Sequence, residues 1–510
     1  MPVLSILIFL PAAGALLILA AQRRSAALAR GLAVGVVWVV LAIAVVLHVA
    51  YPIRDGGIVW REYHWWLPYW GTAYDVSADG LSLTFALLTC LVCMIGVSGL
   101  RGSMGAGELA SVLLLESALL GTFLARDAIL FYVFWQLTLV PLAYLGARGR
   151  GEGRAVAASV LGYGGAGGLA LLICVVWLAL HRAGIAGRLS FDISWLTGAL
   201  LPWPAQGWVF AGLAFAFLSR AGLWPFHRWM VAAHLHLPPP AVLLLNAVAL
   251  KAGAYGLLRF CVPMVPDAIA VFFPLLMALA YFGLFYGAVA GLMQQDLRAK
   301  LALFSSAQLN VIVIAILSVQ LYALEGSAAQ IINHTLVVSA WLLIAFAVCE
   351  GRADLRFEGL RGALGPSGTA GALFVFTLAW LGLPGTGGFI GLALLLPGLV
   401  IVHWWLAPLL LLGVLVLGVG LFLTLGHLSL PTPEQKGLRL QPRELGILLA
   451  LAALTIWLGL VSQIFMARTH PSMARLAAQS MLRRTERLGG EPLTPESRFP
   501  RKSPTLGGPR

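Results

Sequence analysis

Fourteen times along its 510 residues the chain runs through about twenty mainly apolar side chains, the length a helix needs to cross about 30 Å of hydrocarbon. The stretches lie near 3–22, 30–50, 81–100, 109–125, 128–146, 156–180, 207–223, 240–260, 268–291, 300–322, 328–349, 371–398, 403–427 and 444–466. Inside a bilayer the backbone must satisfy its own hydrogen bonds, so only helices or a closed barrel span it. The apolar–polar alternation of a lipid-facing barrel strand is absent, and helices follow. Composition agrees, since 10% of residues are charged against about 25% in a soluble domain. Five cysteines in this length are too few for a disulfide scaffold. The first stretch follows only Met1-Pro2, without a basic leader, and reads as a retained span and not a signal peptide. The expected fold is an all-α polytopic membrane protein of about fourteen transmembrane helices.

Charge gives the expected orientation. Lys and Arg number 33 against 20 Asp and Glu, a net charge of +13. Basic residues in short loops mark the cytoplasmic side. Loops after odd-numbered spans hold 16 of them, including Arg23, Arg101, Arg148, Arg298, Lys300 and Arg352. Loops after even-numbered spans hold 6, among them Arg61, Arg126 and Arg259. Both termini are therefore expected on the outer side of a bacterial-type cell membrane. Nine more basic residues lie in the tail after Met466, which is poor in apolar residues and reads as disordered.

Ionisable groups at bilayer depth are costly and usually face a bundle interior or a water cavity. Four candidates stand out: Glu116, Arg220, Lys251 and His334. They are either members of a hydrated proton or ion path or structural anchors between helices. Lysine exchanges its proton readily in proteins, whereas arginine keeps it, so Lys251 is the relay candidate and Arg220 a fixed charge. Two spans are interrupted, by Trp224-Pro225-Phe226-His227 and by Leu383-Pro384-Gly385-Thr386-Gly387-Gly388. Each break is fourth in a set of five spans, and broken helices at corresponding positions point to an inverted-repeat transporter. The chain then divides into 1–108, a first repeat 109–260, a second repeat 268–427, a last helix 444–466 and the tail 467–510. His227, His234 and His236 lack a carboxylate or thiol to complete a metal site, and Cys90-x-x-Cys93 reads as helix packing. No phosphate loop, dinucleotide fingerprint or cluster spacing is present, so neither a metal nor a redox cofactor is expected on this chain. No nucleic-acid partner is expected.

In order and spacing several segments resemble the antiporter-like subunit M (mitochondrial subunit 4) family of respiratory complex I. They are Val76-Ser-Ala-Asp79-Gly80, Phe131-Tyr-Val-Phe-Trp135-Gln136 with Pro141, and Trp224-Pro225-Phe226-His227-Arg-Trp229. Leu250-Lys251-Ala-Gly-Ala-Tyr, Gln294-Gln295-Asp296, Ser305-Ser306, Asn333-His334, Leu383-Pro384-Gly385 and Arg443-Glu444-Leu-Gly complete the set. The resemblance runs to about residue 475. It implies two inverted five-helix repeats around a polar axis at the membrane midplane. It also implies proton translocation coupled to quinone reduction elsewhere in the complex, with other membrane subunits and the bilayer as partners.

At the relay positions this sequence departs from that pattern. Gln136 stands where the family has a glutamate on the fifth span, and Arg220 where it has a lysine on the seventh. Leu392 replaces the terminal acid or lysine of the twelfth, and Leu309 a histidine of the tenth. Lys251 and His334 remain. Glu116 is the one acid well inside a first-half span and is expected to turn toward Arg220. The departures leave other readings open: a non-pumping scaffold, or a cation/proton antiporter-type subunit of another complex, including one for inorganic-carbon uptake.

Overall fold

The computed structural model describes residues 2–487 apart from 54–56, 102–103, 150–151, 199–200, 351, 353–355, 366–367 and 431–437. The loop residues Arg54, Arg150 and Lys436 and the tail beyond residue 487 therefore lie outside the described residues. The chain is almost wholly helical: α1 Val3–Ala21, α2 Ala26–Ala50, α3 Gly80–Gly99, α4 Ala106–Leu124, α5 Ala128–Ala147 and α6 Gly153–Ala186. There follow α7 Trp203–Arg220, α8 Arg228–His236, α9 Pro239–Met264, α10 Pro266–Leu292, α11 Leu297–Leu317 and α12 Leu321–Cys349. The last are α13 Gly368–Leu381, α14 Gly387–Val402, α15 Leu406–Ser429, α16 Pro442–Leu460 and α17 Gln463–Arg487. Among the described residues, twelve helices are long and apolar enough to cross a membrane. The pairs α7/α8 and α13/α14 are the two interrupted spans.

Short polar residues start many of these helices. Asp79 accepts from Ser82 N at 2.9 Å ahead of α3, and Asp127 accepts from Ile129 N and Leu130 N at 2.9 and 3.0 Å ahead of α5. Such side chains bond amides that the first turn leaves unpaired. The two breaks share one construction. In the first, Gly222 has φ +63° and Leu223 N donates to Leu218 O at 3.3 Å. In the second, Gly382 has φ +73° and Leu383 N donates to Leu378 O at 3.1 Å. Each is a left-handed glycine closing a helix with a six-residue hydrogen-bonded turn, followed by Pro225 or Pro384. The Trp224–Pro225 peptide is cis.

Two features lie outside the sequence reading. Residues between α2 and α3 form an antiparallel hairpin, β1 Val59–Leu67 with β2 Thr72–Ala78. Glu62 of this hairpin accepts from Leu4 N at 2.7 Å and caps α1, while Arg61 grips Asp75 at 2.6 and 3.0 Å. Asp75 beside it raises the Arg61 pKa. The second feature is α17. The tail, expected to lose structure at residue 467, continues as a helix to Arg487 across the face that carries the hairpin. Its polar sequence still buries Met473, Leu476 and Ala477 against the bundle, which the low mean hydropathy of the segment concealed.

Candidate functional site

The polar groups inside the bundle are best followed from α8. His234 is fully buried, with Nδ1 2.8 Å from Met230 O and Nε2 2.8 Å from the Asn246 amide nitrogen. A neutral ring carrying its proton on Nδ1 satisfies both contacts. Asn246 belongs to a π-helical turn, Leu245–Ala249, that widens α9 just before Lys251; such turns are frequent at functional sites. The widening frees carbonyls. Lys251 Nζ donates to Ala247 O at 2.6 Å and to Asn246 O at 3.3 Å. Thr335 Oγ1 of α12 donates to the same Ala247 carbonyl at 2.9 Å. One carbonyl therefore joins Lys251 to the second half of the chain.

Lys251 is 1% exposed, and no carboxylate pairs with it among the described residues. His334 on α12 lies within electrostatic reach of it. The His334 ring packs on Trp380 at 5.1 Å, and neither ring nitrogen has a hydrogen-bond partner among the described residues. Trp380 occupies the last turn of α13, at the second break. There Asn333 Nδ2 donates to Ala379 O at 3.0 Å, and Gln330 Nε2 to Gly388 O at 3.0 Å. Gln308 of α11 donates to Gln330 Oε1 at 3.1 Å. At the first break, Trp229 Nε1 donates to Ser219 O at 3.0 Å and Ser306 Oγ to Gly222 O at 3.2 Å. Side chains thus supply what broken backbone at this depth requires.

The remaining candidates are placed elsewhere. Arg220 is 3% exposed, with its guanidinium 5.3 Å from the Trp135 ring centroid and Nη1 unpaired among the described residues. Gln136 packs against Gly168 of α6, and Arg220 against Gly164 one turn away; the Gln136 carbonyl oxygen is also unpaired among the described residues. Glu116 does not turn toward Arg220. Its carboxylate is fully buried beside the Cys93 thiol of α3. Residue 116 lies on the α3 side of α4, whereas Arg220 sits against α5 and α6, so the expected substitution for the missing acid is not made. Leu392 packs over Gly382 at the second break.

Several basic residues counted in loops are helix-borne, Arg259, Lys300 and Arg228 among them. Arg259 is inside α9, paired with Asp79 at 2.5 Å. Lys300 is inside α11 and 2% exposed, its Nζ donating to Gly291 O and Leu292 O at 3.0 and 2.7 Å. It closes the end of α10, as cations do at helix C-termini. Arg228 is the first residue of α8, the second limb of the broken span. On the hairpin face Asp79 is buried, which would raise its pKa, but Arg259 beside it holds the carboxyl below the usual range. Arg126, close by, has its pKa lowered by burial and by Arg259.

A family model described as NADH:quinone oxidoreductase/Mrp antiporter, transmembrane region, matches residues 125–418, from the end of α4 into α15. NADH-quinone oxidoreductase subunit M of Mycobacterium tuberculosis is 30% identical over 92% of this chain and 93% of its own. The chain belongs to the antiporter-like subunit family of complex I. A chain of respiratory complex I from Thermus thermophilus superposes on this antiporter-like subunit with a TM-score of 0.84 and 26% identity. The match covers 94% of this chain and all of that one. A chain of the Mrp complex from Dietzia sp. shares the fold, with a TM-score of 0.75 at 21% identity over 94% of this chain and 52% of its own. Sequence reasoning missed Asn246 as a link, and it weighed His234 only as a metal ligand. Nothing in residues 245–249 of the sequence marks the π turn that brings Asn246 and Lys251 together.

Proposed function

We propose that this chain is a membrane-arm subunit of an NADH:quinone oxidoreductase-type complex and moves protons through the axis centred on Lys251. The observation that carries the reading is the geometry of Lys251. Its ammonium rests on carbonyls of a π turn shared with Thr335, beside His334, with no fixed counter-ion among the described residues. Lysine and histidine both gain and lose protons in proteins, so the pair is a two-state element whose charge follows its surroundings. His234 and Asn246 lead to it from the first half, and Gln308, Gln330 and Asn333 surround it in the second. Arg220 contributes a permanent positive charge. Two inverted repeats, 109–260 and 268–427, related through the matched breaks, account for this axis. The excess of Arg and Lys on the face opposite the hairpin supports a cytoplasmic position for that face, with the hairpin and the N-terminus outside. Electron transfer and its cofactors are assigned to other subunits, and this chain works through contacts with neighbouring membrane subunits.

The test is Lys251→Ala in the assembled complex, with proton translocation and electron transfer followed together in inverted membrane vesicles. Translocation is expected to fall while electron transfer is partly retained. Unchanged proton flux would sink the reading. The missing carboxylate opposite Arg220 favours one alternative, a coupling scaffold that moves no protons itself, and the same unchanged flux would support it.

A further inference from the structure

We infer that Glu325 and His470 form the proton-release pair of this subunit on the hairpin face, linking the buried axis to water. The inference rests on the proton-moving reading above. A proton at Gln330 and His334 needs an exit. Residues 368–429, which make up α13, α14 and α15, contain no Asp, Glu, Lys, Arg, Tyr or Cys, and their only titratable groups are His403 and His427. No acid on those helices can therefore discharge the axis, and the second half must use another element.

Glu325 lies in the second turn of α12, the helix that also carries Gln330, Asn333 and His334. Its carboxylate oxygen meets His470 Nδ1 of α17 in a short contact. The two partners differ in exposure: the Glu325 side chain is 10% exposed and that of His470 56%. The pair thus straddles the boundary, with the carboxylate inside and the imidazole outside. Both line a cavity of about 730 Å³ together with Ile390, Leu394, Ile53 and Met466. Ile390 is only two residues beyond Gly388, whose carbonyl holds the Gln330 amide. The cavity therefore reaches from the hairpin face to within one turn of the polar axis, and it is far larger than the roughly 30 Å³ that one water takes in the liquid.

The transfer balances simply. A proton arriving from the cavity protonates the Glu325 carboxylate, whose O–H passes it to His470 Nδ1. The imidazolium then releases the proton on Nε2 to outer water; the carboxylate is restored, and the ring, left with its proton on Nδ1, regains the Nε2–H tautomer by exchange with outer water before the next transfer. The pair joins α12 to α17, so α17 is part of the proton route as well as a brace.

The experiment uses the whole complex in inverted vesicles, reading protons translocated per electron and the amount of assembled complex. Glu325→Gln keeps the size of the side chain and a hydrogen bond to His470, so a merely structural tie survives it. The expected result is assembled complex with lost translocation, retained translocation in Glu325→Asp, and loss again in the half-exposed variant His470→Asn. Wild-type translocation in Glu325→Gln or His470→Asn, while Lys251→Ala abolishes it, would overturn the exit and leave the proposed function standing. Wild-type translocation in Lys251→Ala as well would overturn both. If Glu325→Gln does not assemble, His470→Asn decides alone.

Discussion

At the residue scale the unusual group is Arg220. A charge at bilayer depth without a partner is costly, yet its Nη1 is unpaired among the described residues, and the Gln136 amide packs one turn along α6 from it. Partial relief comes from the Trp135 ring face, 5.3 Å from the guanidinium carbon, an arrangement that stabilises cations. Gln136→Glu would supply the missing anion at nearly constant volume. We expect a higher melting temperature for the purified subunit, by about 1 °C for each kcal/mol gained; an unchanged or lower value would show that residues 136 and 220 do not share an electrostatic site. Lys251 shows the opposite arrangement. Its partners are backbone carbonyls, which cannot take its proton, so the charge is solvated without being locked into an ion pair.

At the element scale the two broken spans carry the argument. Their shared closure by Gly222 and Gly382 exposes carbonyls at mid-bundle, and these are where Ser306, Trp229, Gln330 and Asn333 attach. An L side chain in left-handed backbone costs about 1–2 kcal/mol. Gly222→Ala is therefore expected to destabilise the subunit by about that amount, because its Cβ would also lie 3.1 Å from Met230. Thermal unfolding in detergent checks this, and a neutral result would mean that the break closes without the left-handed turn. The breaks themselves were legible in the sequence, since Gly-Leu-Trp-Pro and Gly-Leu-Pro interrupt otherwise apolar runs. The π turn of α9 was not. It arises where Asn246 is drawn toward His234 and Thr335 toward Ala247, and no residue between 245 and 249 is a helix breaker.

At the scale of the whole molecule, α17 binds parts that are far apart in sequence. Arg468 Nε donates to His48 O at 2.9 Å, the Arg468 backbone packs against Gly80, and His470 meets Glu325. One helix thus spans the ends of α2, α3 and α12. A chain ended after Ser462 should lose this brace. Amide exchange at the first turns of α3 and α12 should then quicken in the assembled complex, and proton translocation should fall with it. Unaltered exchange would show that α17 is an appendage to these helices.

By itself the sequence determined the membrane environment, the helical class, the positions of the spans and of both interruptions, and the buried rank of Glu116, Arg220, Lys251 and His334. Those follow from hydropathy and backbone chemistry, which act locally and need no knowledge of neighbours. Only the tertiary structure decided that Glu116 faces Cys93 and not Arg220, that Arg259 and Lys300 are helix-borne, and that Lys251 shares a carbonyl with Thr335. It also decided that a polar tail folds back as α17 to meet Glu325. The physical reason is the same in each case. The face a residue presents depends on how helices rotate and pack against one another, and that is settled by partners hundreds of residues away.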